Sequence, residues 1–212
     1  MQGPATATEG LRERKKRQTR AAIVAAAMEL FQARGFDAVT VAEIARAADV
    51  SEKTIFNYFG AKEDLVLHEG ERRRALIQSI RERADGESLV APFRKATMDF
   101  LDRVEHEPVE SIVAIPRLVA GSTALRNRLF VGWEEESAVL APIIAEEAGA
   151  PAGDLVATVV TRTLAWTHRL AFRAAFTRLL AGEDQRVVAA DLRVQSNRAY
   201  DLLEAGLADY GA

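Results

Sequence analysis

Apolar residues recur along this chain at spacings of three and four rather than two. Ile23, Ala27, Leu30 and Phe31 set the pattern near the start. That period places them on one face of a helix. No stretch alternates apolar and polar residues for long, so strands are not expected. The pattern predicts an all-α chain. One helix is expected over about 14–34, stopped at Gly35, because glycine accepts the left-handed conformation there. A second begins at Thr40, a third is capped by Ser51 and ends near Phe59, and a fourth runs over about 62–84, closed by Asp85-Gly86-Glu87. Further helices are predicted over about 89–106, 109–120, 122–148, 153–181 and 183–210. Pro116 should interrupt one of these, and Pro142 should kink or break another. Residues 1–10 are expected to form a disordered tail.

Residues 40–62 carry the most specific signals. Thr40 and Glu43 have the spacing of a capping box, in which the hydroxyl takes a backbone N–H and the carboxylate reaches back. Asp49-Val50 reads as a tight turn. Ile55 and Phe59, four apart, anchor the third helix to a small core, with Val50 and Phe56 at its sides. Lys53, Thr54, Asn57 and Tyr58 then form an outward row, followed by Lys62. Two short helices, a tight turn and a polar outer row are the layout of a helix-turn-helix that lays its second helix in the DNA major groove. The residue types suit the task. Lys meets guanine acceptors, Asn pairs with adenine, and the Thr methyl meets a thymine methyl. Glu52 can accept from cytosine or discourage wrong sequences. Ser51 and the Tyr58 hydroxyl suit phosphates, as do Thr40 and Lys62 beside the starts of the second and fourth helices.

Charge supports this reading through its distribution rather than its sum. The net charge is −3, which by itself argues weakly against a nucleic-acid binder. Residues 1–62 hold ten Lys/Arg and seven Asp/Glu, so +3; of 28 basic and 31 acidic residues in all, the other 18 and 24 leave −6 beyond them. Arg12, Arg14, Lys15, Lys16, Arg17 and Arg20 stand against Glu13 alone. This is a basic arm on an acidic body, and phosphate contact by Arg17 and its neighbours is the expected use. There is no cysteine, which removes disulfide and thiolate chemistry. With no apolar run of about 18 residues and no apolar segment near Met1, neither a membrane span nor a signal peptide is expected, and a cytoplasmic protein is the default.

The stretch from about Arg17 to Leu65 resembles the DNA-binding domain of the tetracycline-repressor (TetR) family. The matching residues are Thr19-Arg20-x-x-Ile23, Ala26-Ala27, Leu30-Phe31, Gly35-Phe36, Thr40-Val41-x-x-Ile44-Ala45, Ala48-x-Val50-Ser51, Thr54-Ile55-Phe56-x-Tyr58-Phe59 and Lys62-Glu63-x-Leu65. Two positions depart from the commonest pattern. Phe56 stands where tyrosine is frequent, and Ala61 where a Ser cap is frequent. The resemblance implies phosphate contacts at Thr40, Tyr58 and Lys62, and base reading at Glu52, Lys53, Thr54 and Asn57. It also implies a transcriptional regulator, usually a repressor, that binds a near-palindromic operator as a homodimer and is released by a small apolar or amphipathic effector.

The expected organisation follows: a tail over 1–10, a helix-turn-helix domain over 11–62, helix four over 62–84 as linker, and a ligand-binding and dimerisation domain over 85–212. The last two helices are the dimer candidates, through Leu155, Val159, Leu164 and Leu170 on one and Val188, Leu192, Ala199, Leu202 and Leu203 on the other. An effector needs a mostly apolar site with a few polar groups. Phe100, Trp133, Trp166 and Phe172 are candidate walls, and Arg117 and His168 candidate orienting groups. An architectural or division-linked DNA-binding protein without an effector is the alternative. An enzyme is not expected, since the chain has no Cys nucleophile, no HExxH, no Gly-rich phosphate loop and no spaced His/Asp set. No cofactor or metal is expected.

Overall fold

The computed structural model describes residues 10–67, 70–84, 86–208 and 210. The expected tail over 1–10 therefore lies outside the described residues, Gly10 excepted. Every regular element among the described residues is helical. The chain forms two compact units, one of residues up to 68 together with Gly121–Leu125, the other of the remainder.

The first unit is built by α1 (Leu11–Arg34), α2 (Val41–Ala47) and α3 (Glu52–Tyr58), followed by a 3-10 turn over Lys62–Leu65. Its core is Ile23, Ala27, Phe31, Phe36, Val39, Ile44, Ala45, Ile55, Phe59, Leu65 and Val66, all buried. Gly35 ends α1 with φ 81 and ψ 158. That is not the left-handed helical conformation expected from the sequence. It lies in an extended region open only to glycine. α2 opens with the full capping box of Thr40 and Glu43. It closes on Asp49, whose φ is 53, with Val50 N–H bonded to Ala45 O at 2.9 Å and Asp49 N–H to Arg46 O at 3.3 Å. This paired closure is a Schellman turn, and it sets the entry into α3. Ser51 then caps α3 by accepting Thr54 N–H. Within the same unit, Ser122 Oγ donates to Asp37 Oδ1 at 2.8 Å and Leu125 is buried.

The second unit holds α4 (Gly70–Arg81), α5 (Ala91–His106), α8 (Leu155–Leu180), α9 (Gln185–Gly206) and, apart from Gly121–Leu125, α6 (Val109–Gly121) and α7 (Thr123–Glu147). The continuous helix expected over 62–84 is thus split. Lys62–Leu65 form a 3-10 turn that buries Leu65, with Val66 buried after it, in the first unit, and α4 begins only at Gly70. Helices α6 and α7 run on through Pro116 and Pro142. A proline removes one N–H and crowds one carbonyl. At Pro142 the flanking turns are held by buried Leu140, Ile143, Ile144 and Ala145.

α5 packs on α8 and α9, and α8 on α9. They enclose two apolar clusters. One gathers Phe93, Leu140, Ile144, Leu164 and Tyr200, the other Phe100, Leu101, Val104, Leu179, Val188 and Leu192. The outer faces of α8 and α9 leave Leu155, Val156, Val159, Trp166, Leu170, Val187, Val194 and Leu202 exposed.

Candidate nucleic-acid interface

α3 is seven residues long, so it has one inward edge, and Ile55 and Phe59 fill it at 1% and 3% exposure. Glu52, Lys53 and Asn57 are exposed, and Thr54 and Tyr58 half-buried. The predicted row therefore shares one short helix, with Lys53 and Asn57 on its exposed face and Thr54 and Tyr58 flanking the anchors. Ser51 Oγ lies 2.8 Å from Thr54 Oγ1 and accepts Thr54 N–H at 3.1 Å. Ser51 therefore fixes the first turn from which Lys53 and Thr54 project.

Phe56 was expected to support the core, yet it is 52% exposed. It lies a hundred degrees round the helix from Ile55, too far to share the single inward edge. A bare aromatic ring beside the outward row is suited to a thymine methyl. The sequence signal for this was the helical phase of Phe56 relative to Ile55 and Phe59.

Thr40 is exposed, and its side chain is engaged. Thr40 N–H and Oγ1 both donate to Glu43 Oε2 at 2.8 Å, and Arg34 donates to Glu43 Oε1 at 2.7 Å. The Arg34 hydrogen bond, then those from Thr40, hold the Glu43 pKa down to about 2. Lys62 is turned inward. Its Nζ donates to Phe36 O at 2.7 Å and sits 4.1 Å from the centre of the Phe36 ring. Burial pushes its pKa down. In the sequence reading Lys62 was a phosphate ligand; in this structure its ammonium is bonded within the head. The basic arm is the first part of α1, where Arg12, Arg14, Lys15, Lys16 and Arg17 are all exposed. Arg20 lies 5.0 Å over the Phe59 ring.

The six effector candidates of the second unit fall into separate places. Phe100 lies 3.8 Å from Phe172, and His168 stands edge-on to Phe172 at 4.4 Å. Trp133 and Trp166 form a second group, edge-to-face at 5.5 Å, with Arg169 over Trp133. Arg117 pairs with Glu110 on the exposed face of α6 at 3.0 Å. Two open hollows mark this unit. One, about 360 Å³, lies along α4 and α5 beside Ser79, Arg83 and Lys95; the other, about 380 Å³, lies beside Leu170, Arg173 and Thr177 on α8. None of the six candidates lines either hollow. The sequence reading missed Thr97 and Tyr200; Thr97 Oγ1 bonds to both the Tyr200 hydroxyl and His168 Nδ1 inside the unit. A threonine in an apolar stripe and a tyrosine near a helix end gave no signal of that pairing.

A family model described as bacterial regulatory proteins, tetR family, matches residues 23–68. The chain is 32% identical over 151 residues to the HTH-type transcriptional regulator TcmR of Streptomyces glaucescens, covering 68% of this chain and 67% of that protein. Its fold is similar to that of NalD of Pseudomonas aeruginosa, a secondary repressor of a multidrug efflux pump, with TM-score 0.55, 19% identity, and 86% and 96% of the two chains covered. A tetR-family regulator from Streptomyces coelicolor gives TM-score 0.55 at 22% identity, over 93% of this chain and 99% of that one.

Proposed function

Because the chain belongs to the tetR family of bacterial regulatory proteins and is a DNA-binding transcriptional regulator of that kind, we propose that it is a homodimeric repressor. It binds a near-palindromic operator and is released by a small apolar or amphipathic effector. The observation that carries the reading is α3, with Lys53, Asn57 and half-buried Thr54 held outward by buried Ile55 and Phe59. One such helix reads only a few base pairs. A two-fold dimer sets two of them in successive major grooves, roughly 34 Å apart. The exposed apolar residues of α8 and α9 support that dimer, since two helices from each subunit make a four-helix bundle about the two-fold. Effector release requires that the effector bind the DNA-competent and incompetent states with different affinity.

The contact of Phe172 with Phe100 and Phe176 favours a second reading, because these rings pack on one another without an effector. In it the protein is an architectural or division-linked DNA binder without an effector. Purified protein titrated against its own upstream DNA and against random duplex tests both. The repressor reading expects selective binding that falls steeply with salt and is abolished by some members of a small-molecule panel. Equal binding to random duplex overturns it. Selective binding that no compound disturbs favours the architectural reading.

A further inference from the structure

A polar node sits between the two apolar clusters of the second unit, and its hydrogens can be counted. Thr97 on α5 is fully buried. Its Oγ1 lies 3.0 Å from Phe93 O, 2.8 Å from the Tyr200 hydroxyl on α9 and 2.7 Å from Nδ1 of His168 on α8. The carbonyl only accepts, so Thr97 gives it its single hydrogen. Thr97 then offers only lone pairs, and Tyr200 and His168 must both donate to it. Tyr200 keeps its proton, because burial pushes its pKa up to about 12. Burial first, then the charges of Arg72 and Arg169, hold the His168 pKa down to about 3, so the ring is neutral and carries one proton. That proton is on Nδ1, and Nε2 is left with a bare lone pair.

Among the described residues Nε2 has no hydrogen-bond partner, and the one fully buried polar atom without a partner is the Tyr210 hydroxyl. Nε2 therefore keeps accessible surface. The imidazole stands edge-on to Phe172, which lies against Phe100 and Phe176. An acceptor of fixed tautomer is thus held at the margin of an aromatic patch. Its other nitrogen is bonded to a network that has no hydrogen left to give, so the ring cannot switch tautomer without breaking a bond. The positive charges of Arg72 and Arg169 disfavour an ammonium as the donor that meets it.

We infer that His168 Nε2 accepts the hydroxyl hydrogen of a phenolic effector whose aromatic ring packs on Phe172. This rests on the effector-released reading above and gives that effector a chemical class.

The test uses the full-length protein labelled with 15N, titrated with phenol, anisole and benzylamine. The imidazole correlation spectrum should show Nδ1–H and bare Nε2 for His168, with phenol moving the Nε2 resonance. Phenol should bind about tenfold more tightly than anisole, the usual scale of one hydrogen bond. His168→Asn keeps an amide donor toward Thr97 and deletes the Nε2 acceptor. It should lower phenol affinity about tenfold and leave anisole unchanged. A proton on Nε2, equal binding of anisole or benzylamine, or unchanged phenol affinity in His168→Asn overturns the inference. Operator release separates it from the reading beneath it. A compound that releases wild type and His168→Asn with equal potency removes His168 and leaves an effector-released repressor. Phenol bound at Nε2 with no compound releasing the operator removes the effector-released reading and leaves the site.

Discussion

The Lys62 ammonium donates to Phe36 O and lies over the Phe36 ring, at 4.1 Å from its centre. Both contacts belong to the folded head rather than to DNA. Lys62→Met keeps the apolar stem and loses both, so the head should lose about 1–2 kcal/mol of stability. Thermal melts and operator titrations on this one variant separate its roles: a phosphate clamp would cost affinity at unchanged melting temperature. Lys53 is the contrasting case, exposed on α3. Lys53→Ala should cost about 1–3 kcal/mol of operator affinity and relax preference at one base position, with no change in melting temperature. Binding to operators varied one base at a time checks this. Glu43 predicts a pH effect. Arg34 and Thr40 hold its pKa near 2, below the ordinary 4.5, so the unfolded chain binds the proton more readily. Its contribution is complete above about pH 4.5 and is lost as pH falls through 2. Glu43→Gln should flatten the acid side of the stability curve between those values, as followed by circular dichroism. The placement of the proposed readers was legible where helical phase decides it, as at Lys53 and Asn57, both exposed on α3. Placement was not legible where a neighbour decides, as at Lys62, whose partner Phe36 lies 26 residues away.

Helix ends were more legible than helix continuity, because caps are local and packing is not. Thr40 with Glu43 and the Ser51 cap are spelled out in adjacent residues and form as read. The stop near residue 181 is equally local. Gly182 has φ 87, Gly182 N–H bonds to Leu179 O at 3.0 Å and Glu183 N–H to Arg178 O at 3.1 Å. This is the same closure that Asp49 makes at the end of α2. Gly182→Ala puts a Cβ on a left-handed residue at a cost of about 1–2 kcal/mol; no side chain blocks that Cβ, so strain alone is measured. A urea midpoint lowered at unchanged slope would confirm it. The split of the predicted helix over 62–84 had no such local sign. Its apolar spacing is helical throughout, and the 3-10 turn over Lys62–Leu65, capped by Asp64 on the Ala61 N–H, is followed by a new helix only at Gly70. Neither proline ends its helix, and at Pro142 buried neighbours flank the ring within α7.

At the scale of the molecule, charge and apolar surface point to different partners. Residues 1–62 carry +3 and the rest −6, so only the head is drawn to a phosphate backbone. Exposed Leu155, Val159, Trp166 and Leu170 on α8, and Val187, Val194 and Leu202 on α9, are instead the composition of a buried helix pair. They are only partly exposed, so burying the remainder would gain about 1–2 kcal/mol each. Val194 is 71% exposed and Leu170 49%, so Glu at Val194 disturbs the monomer's own packing little, and Glu at Leu170 disturbs the half of that side chain that is already packed. Leu170→Glu with Val194→Glu should convert a dimer to a monomer in sedimentation, with helical content unchanged. The monomer should then bind operator at least a hundredfold more weakly, because it loses one half-site. The slope of log affinity against log salt should also fall by about half, because half the phosphate contacts go. A variant that stays dimeric would move the two-fold to another face. One that becomes monomeric yet keeps full affinity and slope would mean that a single head carries the whole recognition.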